Sequence, residues 1–123
     1  MMAYLSVAVG GALGAMLRYF ASQVMPQAKG AFPLTTLLVN VAGSFMIGCL
    51  YVLIVERSGV NGYWRELLIV GFCGGLTTFS TFSIEALQLW QSGHIQTAIL
   101  YIVLSVFFCI VAALISISLM RII

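Results

Sequence analysis

The stretch GFCGGLTTFSTFS, residues 71–83, decides the fold. It lies inside an apolar run long enough to cross a membrane, yet it contains three glycines and five hydroxyl residues. Glycine weakens a helix by about 1 kcal/mol relative to alanine, and hydroxyl side chains compete for backbone hydrogen bonds. In hydrocarbon, irregular backbone survives only where it is buried in protein or lines a polar cavity. The stretch therefore predicts a helix break within the membrane and indicates a functional site there.

The composition outside this stretch is that of an integral membrane protein. The 123 residues are 63% hydrophobic and 7% charged, whereas an average soluble domain is about 25% charged. A net charge of +2 is too small to indicate a nucleic-acid partner. His94 is the only histidine, and no nucleophile–base set or metal-binding cluster accompanies it, so we expect no enzymatic activity.

Four apolar runs of 22 to 24 residues cover most of the chain: 3–24, 34–55, 67–90 and 97–120. Each is long enough for one transmembrane helix, and the connections between them are short, so we expect a single domain over residues 1–123. The first run does not fit a signal peptide, because its first basic residue, Arg18, comes late. Cys49, Cys73 and Cys109 all lie inside the runs, where we expect them to be small apolar fillers.

The basic residues are almost evenly divided between the two sides of the membrane. Four spans place Arg57, Arg65 and Arg121 on one side, and Lys29 and Arg18 on the other. Topology follows Lys/Arg asymmetry, which is nearly absent here. We therefore predict an antiparallel homodimer in which the chain inserts in both orientations. The alternative is that a bias of one charge suffices for a single orientation.

Small and polar residues recur at helical spacing. Gly10 and Gly14 form one GxxxG pattern and Gly71 and Gly75 another, which predicts close contacts between helices. Residues four apart share a helix face. Polar faces of this kind run along three spans: Thr36, Asn40, Ser44 and Gly48; Thr78, Thr81, Glu85 and Gln88; and Tyr101, Ser105 and Cys109. Such faces indicate either contacts between helices or a lined pathway.

Two charged residues and two aromatic residues within the spans stand out. Glu85 is the only acid inside a predicted span, where an ionisable group indicates function or a structural acceptor. Arg18 either snorkels to the interface, the better expectation for a lone arginine, or attracts anions. Phe79 and Phe82 share a face; they either pack in the core or present their positive ring edges to a small anion.

Three motifs together resemble the CrcB/Fluc family of fluoride channels: GGALGAMLRYF (10–20), NVAGSFMIG (40–48) and GFCGGLTTFSTFS (71–83). The resemblance covers essentially the whole chain, and the third motif is highly specific. It implies dual-topology antiparallel homodimers in prokaryotic plasma membranes. Passive export of fluoride through them would relieve fluoride toxicity.

The resemblance also assigns roles to individual residues. The implied fluoride pathway comprises Asn40, Phe79, Phe82, Ser80, Thr81, Tyr101 and Ser105, with Arg18 and Glu85 in vestibule or supporting positions. The implied helix break covers residues 74–78. There, a structural sodium ion would lie at the dimer axis, bound by backbone carbonyls of Gly74 and Thr77 from both subunits. On the fourth span, Cys109 is less polar than the hydroxyl expected from the family.

Two other function classes remain as alternatives. A small multidrug-type exporter also forms a four-span dual-topology dimer, but it needs an acid in its first span, and this first run has none. A non-conducting membrane assembly protein would account for the glycine patterns, but not for the break or the aligned polar faces. We expect the chain to conduct fluoride by electrodiffusion.

Overall fold

The computed structural model describes residues 1–57, 59–60 and 62–123. Four of its helices are long and apolar enough to cross a membrane: Met2–Val24, Leu34–Glu56, Gly62–Gln91 and Ile95–Ile122. We call them the first to fourth spans. The predicted runs agree with them except that the third span begins at Gly62, five residues before the predicted start. The prediction of an all-helical chain with four apolar spans is confirmed.

The first span packs against the first half of the third span through glycines. A Cβ atom added to Gly10 would lie 2.8 Å from the backbone nitrogen of Phe72, and one added to Gly71 would lie 2.9 Å from the Cα of Gly10. Gly14 and Gly75 meet the opposite backbone in the same way. Only glycine allows this approach. The predicted close contact is confirmed, and the two GxxxG patterns contact each other.

The second span packs along the fourth, which also contacts the second half of the third span. At Gly48 a side chain would collide with the Oγ of Ser116, so this contact is also close. At the C-terminal ends of these two spans, the Nε of Arg121 donates to Glu56 at 3.1 Å, and the Arg57 guanidinium donates to the Met120 carbonyl. These bonds join the ends of the two spans.

The side chains buried within one chain form a small cluster, while most of each span stays exposed. The exposed side chains are largely apolar, as a surface facing lipid requires. The buried cluster lies between the second span, the second half of the third, and the fourth: Leu37, Phe82, Ala86, Leu89, Ala98 and Tyr101. Phe82 and Tyr101 of this cluster also belong to the site described below.

The third span changes its winding several times. It consists of an α-helical turn, a π-helical segment, a second α-helical turn and a longer α-helix: Gly62–Arg65, Glu66–Cys73, Gly74–Leu76 and Phe79–Gln91. Between the last two, Thr77 (φ −78°, ψ 153°) and Thr78 (φ −148°, ψ 121°) have extended backbone angles. Of the break implied for residues 74–78, the part Gly74–Leu76 is helical, and the extended angles are confined to Thr77 and Thr78. A Cβ on Gly75 would lie 3.0 Å from the Cα of Gly11, so this turn packs closely against the first span.

Candidate functional site

The side-chain amide of Asn40 forms two hydrogen bonds with the backbone of Thr78, one to its carbonyl and one from its N–H. Its Nδ2 donates to the Thr78 carbonyl oxygen at 3.0 Å, and the Thr78 N–H donates to its Oδ1 at 2.7 Å. Extended backbone within a helical span lacks its usual i→i−4 partners, and an amide side chain can supply one donor and one acceptor. The second span thus holds the extended segment of the third in place through a single side chain.

The helix that follows the extended residues begins with a capped end. The Oγ1 of Thr78 accepts from the N–H of Thr81 at 3.1 Å, as a threonine at an N-cap does. The same hydroxyl donates to the Oγ1 of Thr81 at 3.1 Å and lies 3.3 Å from the Oγ of Ser80. Ser80 and Thr81 therefore belong to a hydroxyl cluster centred on Thr78.

Arg18 contacts the helical turn that precedes the extended residues. Its Nε donates to the Gly75 carbonyl at 3.2 Å, a position that the N–H of Phe79 would occupy in a continuous helix. The expectation that Arg18 snorkels to the interface stays a prediction. The exposed carbonyl of the third span offers it an acceptor, and its positive charge therefore lies beside Gly75.

The carbonyl groups of Gly74 and Thr77 have lost their helical donors. The N–H of Thr78, which would reach Gly74 in a helix, bonds to Asn40, and the N–H of Thr81, which would reach Thr77, bonds to the Thr78 hydroxyl. Carbonyl oxygens at unwound helix segments are ligands that Na⁺ takes in membrane proteins. The carbonyl oxygens of Gly74 and Thr77 are thus suitable ligands for a sodium ion, and one chain supplies this pair.

A cavity of about 370 Å³ lies beside the extended residues. Its wall includes Asn40, Phe79, Phe82, Ser105 and Cys109. Phe79 is 76% exposed and Phe82 only 8%, and their ring centroids are 5.3 Å apart. Within the part of the chain that the structure describes, the Ser105 hydroxyl is the buried side-chain polar atom without a hydrogen-bond partner. Ser105 thus contributes a buried polar group whose hydrogen bond is not made within the described residues.

Glu85 is bound by two hydroxyl donors from the other spans. The Thr36 Oγ1 donates to its Oε1 at 2.8 Å, and the Tyr101 hydroxyl donates to its Oε2 at 2.7 Å. The ring of Tyr101 is fully buried and lies 5.1 Å from the ring of Phe82, centroid to centroid. Tyr101 therefore connects the carboxylate with the phenylalanine pair.

Two further cavities share wall residues with the first cavity or with each other. One of about 230 Å³ is lined by Arg18, Thr78, Thr81 and Glu85, among others. The next, of about 430 Å³, includes Glu85 and the loop residue Lys29 in its wall. Thr78 is common to the first and second cavities, and Glu85 to the second and third. The three form a series from the loop to the extended residues.

A family model described as "CrcB-like protein, Camphor Resistance (CrcB)" matches residues 5–117. The chain belongs to the CrcB-like family. This confirms the family resemblance inferred from the three motifs, and with its four spans the chain is a multi-pass membrane protein.

Several relatives of this CrcB-like chain carry the name "Fluoride-specific ion channel FluC". The one from Saccharophagus degradans is 52% identical over 116 residues, which cover 94% of this chain and 87% of the relative. The one from Shewanella amazonensis is 49% identical over 107 residues, 86% of each chain. The one from Hahella chejuensis is 46% identical over 118 residues, 95% of this chain and 93% of the relative. All three come from bacteria.

The structure brings most of the residues implied by the CrcB/Fluc resemblance together. Four line the first cavity, and three line its neighbour: Asn40, Phe79, Phe82 and Ser105 in the first, Arg18, Thr81 and Glu85 in the second. Tyr101 contacts both groups, and Ser80 lies exposed at the hydroxyl cluster. Their roles in conduction stay predictions.

Two contacts at the site were not predicted from the sequence. Thr36 was recognised as part of a polar face but not as a partner of Glu85, and Thr78 was not assigned its capping role. The signal for Thr78 is present, because a threonine directly before an apolar helix is a typical N-cap. The Thr36–Glu85 pair is separated by 49 positions, and no local pattern predicts it.

Proposed function

We propose that this chain is a fluoride-specific ion channel that exports fluoride passively across the bacterial plasma membrane. The observation that carries the proposal is its 52% identity, over 94% of its length, to a relative named as such a channel. The relatives are named as channels rather than enzymes, which fits a protein that performs no chemistry.

The cavity series supplies a route with suitable donors. Fluoride is small and strongly hydrated, so a path must replace its water with hydrogen-bond donors while binding it weakly enough for release. Ser105 has an uncommitted hydroxyl at the wall of the first cavity. The Asn40 amide has a second N–H beyond the one bound to Thr78, and the edges of Phe79 and Phe82 add partial positive charge. We assign these four residues to the narrow part of the pathway.

The outer cavities have the character of a vestibule. Each outer cavity has one basic residue in its wall, Arg18 in one and Lys29 in the other, and Glu85 lies in the wall of both. Glu85 is the single acid in this region, and its two oxygens accept from Thr36 and Tyr101. We assign Arg18 and Glu85 supporting roles, with Thr81 and Tyr101 between the vestibule and the phenylalanines.

We propose further that the working unit is a dual-topology antiparallel homodimer built around a broken third span. Phe79 is 76% exposed in one chain, which supports a partner covering it. Arg57, Arg65 and Arg121 lie towards one end of the spans, and Arg18 and Lys29 lie towards the other. The Lys/Arg bias is therefore small, in keeping with insertion in both orientations.

A structural sodium ion belongs to the same proposal. The carbonyls of Gly74 and Thr77 would hold it together with the same groups of the second copy. When bound, the ion would supply a fixed positive charge at the dimer centre. The residues of this chain that shape the site are Asn40 and Thr78, because their bonds redirect the two N–H groups that would otherwise occupy these carbonyls.

A multidrug-type exporter is disfavoured by the position of the acid. Proton-coupled export needs a carboxylate that is free to exchange protons with a substrate pathway, and the first span, Met2–Val24, contains no acid. Glu85 lies in the third span and is bound by two hydroxyls.

Efflux from liposomes tests the proposed function. Purified protein is reconstituted in vesicles loaded with potassium fluoride, valinomycin is added to carry the counter-ion, and an electrode follows fluoride outside. We expect rapid efflux that vesicles without protein lack. Efflux no faster than in empty vesicles would refute the proposal.

A further inference from the structure

Gly43 lies where the second span meets the extended residues of the third. It is buried, and it follows Asn40 by three positions, so the two residues share a face of the second span. A Cβ atom added to Gly43 would overlap the Cγ2 methyl group of Thr77, whereas the Thr77 Cβ, at 3.7 Å, would be in ordinary contact with it. The methyl group of Thr77 therefore packs directly against the backbone of Gly43.

The side chain of Thr77 is also held from its own span. Its Oγ1 donates to the Cys73 carbonyl at 2.9 Å, and its N–H donates to the same oxygen at 3.0 Å. A threonine side chain is stiff about its Cα–Cβ bond, and rotation about that bond would break the hydroxyl's hydrogen bond. The methyl group of Thr77 thus has one favoured direction, towards Gly43.

The backbone of Thr77 leaves the helix by a rotation of its carbonyl group. Its φ of −78° is close to the helical value, whereas its ψ of 153° is not. The peptide unit that carries this carbonyl is planar and also carries the N–H of Thr78, which donates to Asn40 at 2.7 Å. Gly43 therefore contacts the side chain at one end of this rotation, and Asn40 binds the peptide unit at the other.

We propose that Gly43 is a positioning residue, which fixes the direction of the Thr77 carbonyl by holding the Thr77 methyl group in place. The proposal rests on the proposed sodium site, to which this carbonyl is assigned. Groups that orient a metal ligand without touching the metal are typically worth about 10- to 100-fold in metal affinity. We therefore expect Gly43→Ala to weaken sodium binding by a factor in that range.

Thr77→Ser offers a specific rescue of Gly43→Ala. Serine lacks the methyl group that a Cβ at position 43 would overlap, and it keeps the hydroxyl that bonds to Cys73. The double variant Gly43→Ala/Thr77→Ser thus moves one methyl group across the contact, and exchanges that conserve volume are tolerated best. Thr77→Val is the matched control, because valine keeps the methyl group and has no hydroxyl.

The experiment records the melting temperature of the purified full-length protein at increasing sodium concentration, with a large organic cation keeping the ionic strength constant. An ion that binds only the folded protein raises its melting temperature, and the concentration at which the rise begins reports the affinity. We expect this onset to lie about 10- to 100-fold higher in Gly43→Ala than in the wild type. Gly43→Ala/Thr77→Ser should respond to sodium as Thr77→Ser does, whereas Gly43→Ala/Thr77→Val should not recover. Fluoride efflux from liposomes is measured on the same preparations.

Two results would overturn the proposal. One is a Gly43→Ala variant that melts at a lower temperature throughout but has the wild-type onset, because that pattern describes packing alone. The other is a Gly43→Ala/Thr77→Ser variant as impaired as Gly43→Ala. If Gly43→Ala gives no folded protein, the double variants decide: recovery with serine but not with valine supports the proposal, and failure of both contradicts it.

Failure of the two underlying proposals gives different results. A wild type whose melting temperature does not depend on sodium would reject the sodium site and the role of Gly43 together. A wild type that is stabilised by sodium but passes no fluoride would reject the channel function alone.

Discussion

Asn40→Ala tests whether one side chain holds the extended segment of the third span. Two hydrogen bonds to Thr78 are lost, at 2.7 and 3.0 Å. Each unsatisfied buried group costs about 1–3 kcal/mol, and water in the adjacent cavity can replace part of the loss. We therefore expect the variant to be destabilised by about 2–4 kcal/mol. Because about 1.4 kcal/mol is a factor of ten in an equilibrium, the conducting arrangement should become far less populated.

The assay combines fluoride efflux from liposomes with reversible unfolding in denaturing detergent. The matched control is Ser44→Ala, one turn further along the same face. Ser44 lines the same cavity, but no hydrogen bond of its side chain is present among the described residues. Asn40→Ala should lower flux by about tenfold or more, and Ser44→Ala should leave stability near the wild-type value. Asn40→Asp keeps only the acceptor for the Thr78 N–H and should fall between them.

Equal stability and equal flux in Asn40→Ala and Ser44→Ala would refute this reasoning. A loss of flux without a loss of stability would contradict the anchoring role. It would instead favour Asn40 as a group that only contacts the ion.

Four further perturbations follow from other contacts. Thr78→Ala removes the N-cap bond and should cost about 1 kcal/mol, while Thr78→Ser should retain it; equal unfolding free energies for the two would contradict the cap. In Gly14→Ala the new methyl group would lie 2.7 Å from the backbone nitrogen of Leu76 in the third span, whereas in Gly11→Ala the nearest atom of that span is the Gly71 carbonyl oxygen, 3.9 Å away. Only Gly14→Ala should therefore fail to give stable protein, and a normal thermal melt for it would show that the glycine contact is wrong. Phe79→Ile and Phe82→Ile should both reduce fluoride flux, and Phe82→Ile should also lower the stability of the chain, because Phe82 is buried within it; wild-type flux in both would remove the rings from the pathway. Rigorous replacement of sodium by a large organic cation should reduce flux and lower the melting temperature, and unchanged values for both would reject the sodium site.

The spans could be predicted because their signal is local. A run of apolar residues determines its own transmembrane length, and all four runs reappear as helices. The glycine spacing likewise predicted close contacts, although it could not say that Gly10 and Gly71 would meet. The π-helical winding of Tyr51–Glu56 and Glu66–Cys73 had no recognisable local signal.

Which residues belong to the site could be predicted from the sequence, but which groups they contact could not. Asn40 was expected to face an anion, and the structure adds that its amide bonds to Thr78, 38 positions away. Arg18 was expected to snorkel or to attract anions, and the structure adds that its Nε bonds to the Gly75 carbonyl, 57 positions away. Pairings of this kind depend on how the helices pack, and periodicity reports only which face a residue occupies.

The central claim is that this chain conducts fluoride and excludes other halides. The most direct test compares efflux of fluoride and of chloride from otherwise identical proteoliposomes, with valinomycin setting the same potassium-driven voltage in both. We expect rapid fluoride efflux that depends on the protein, and chloride efflux at the rate of vesicles without protein. Equal efflux of the two anions, or none of either, would contradict the account.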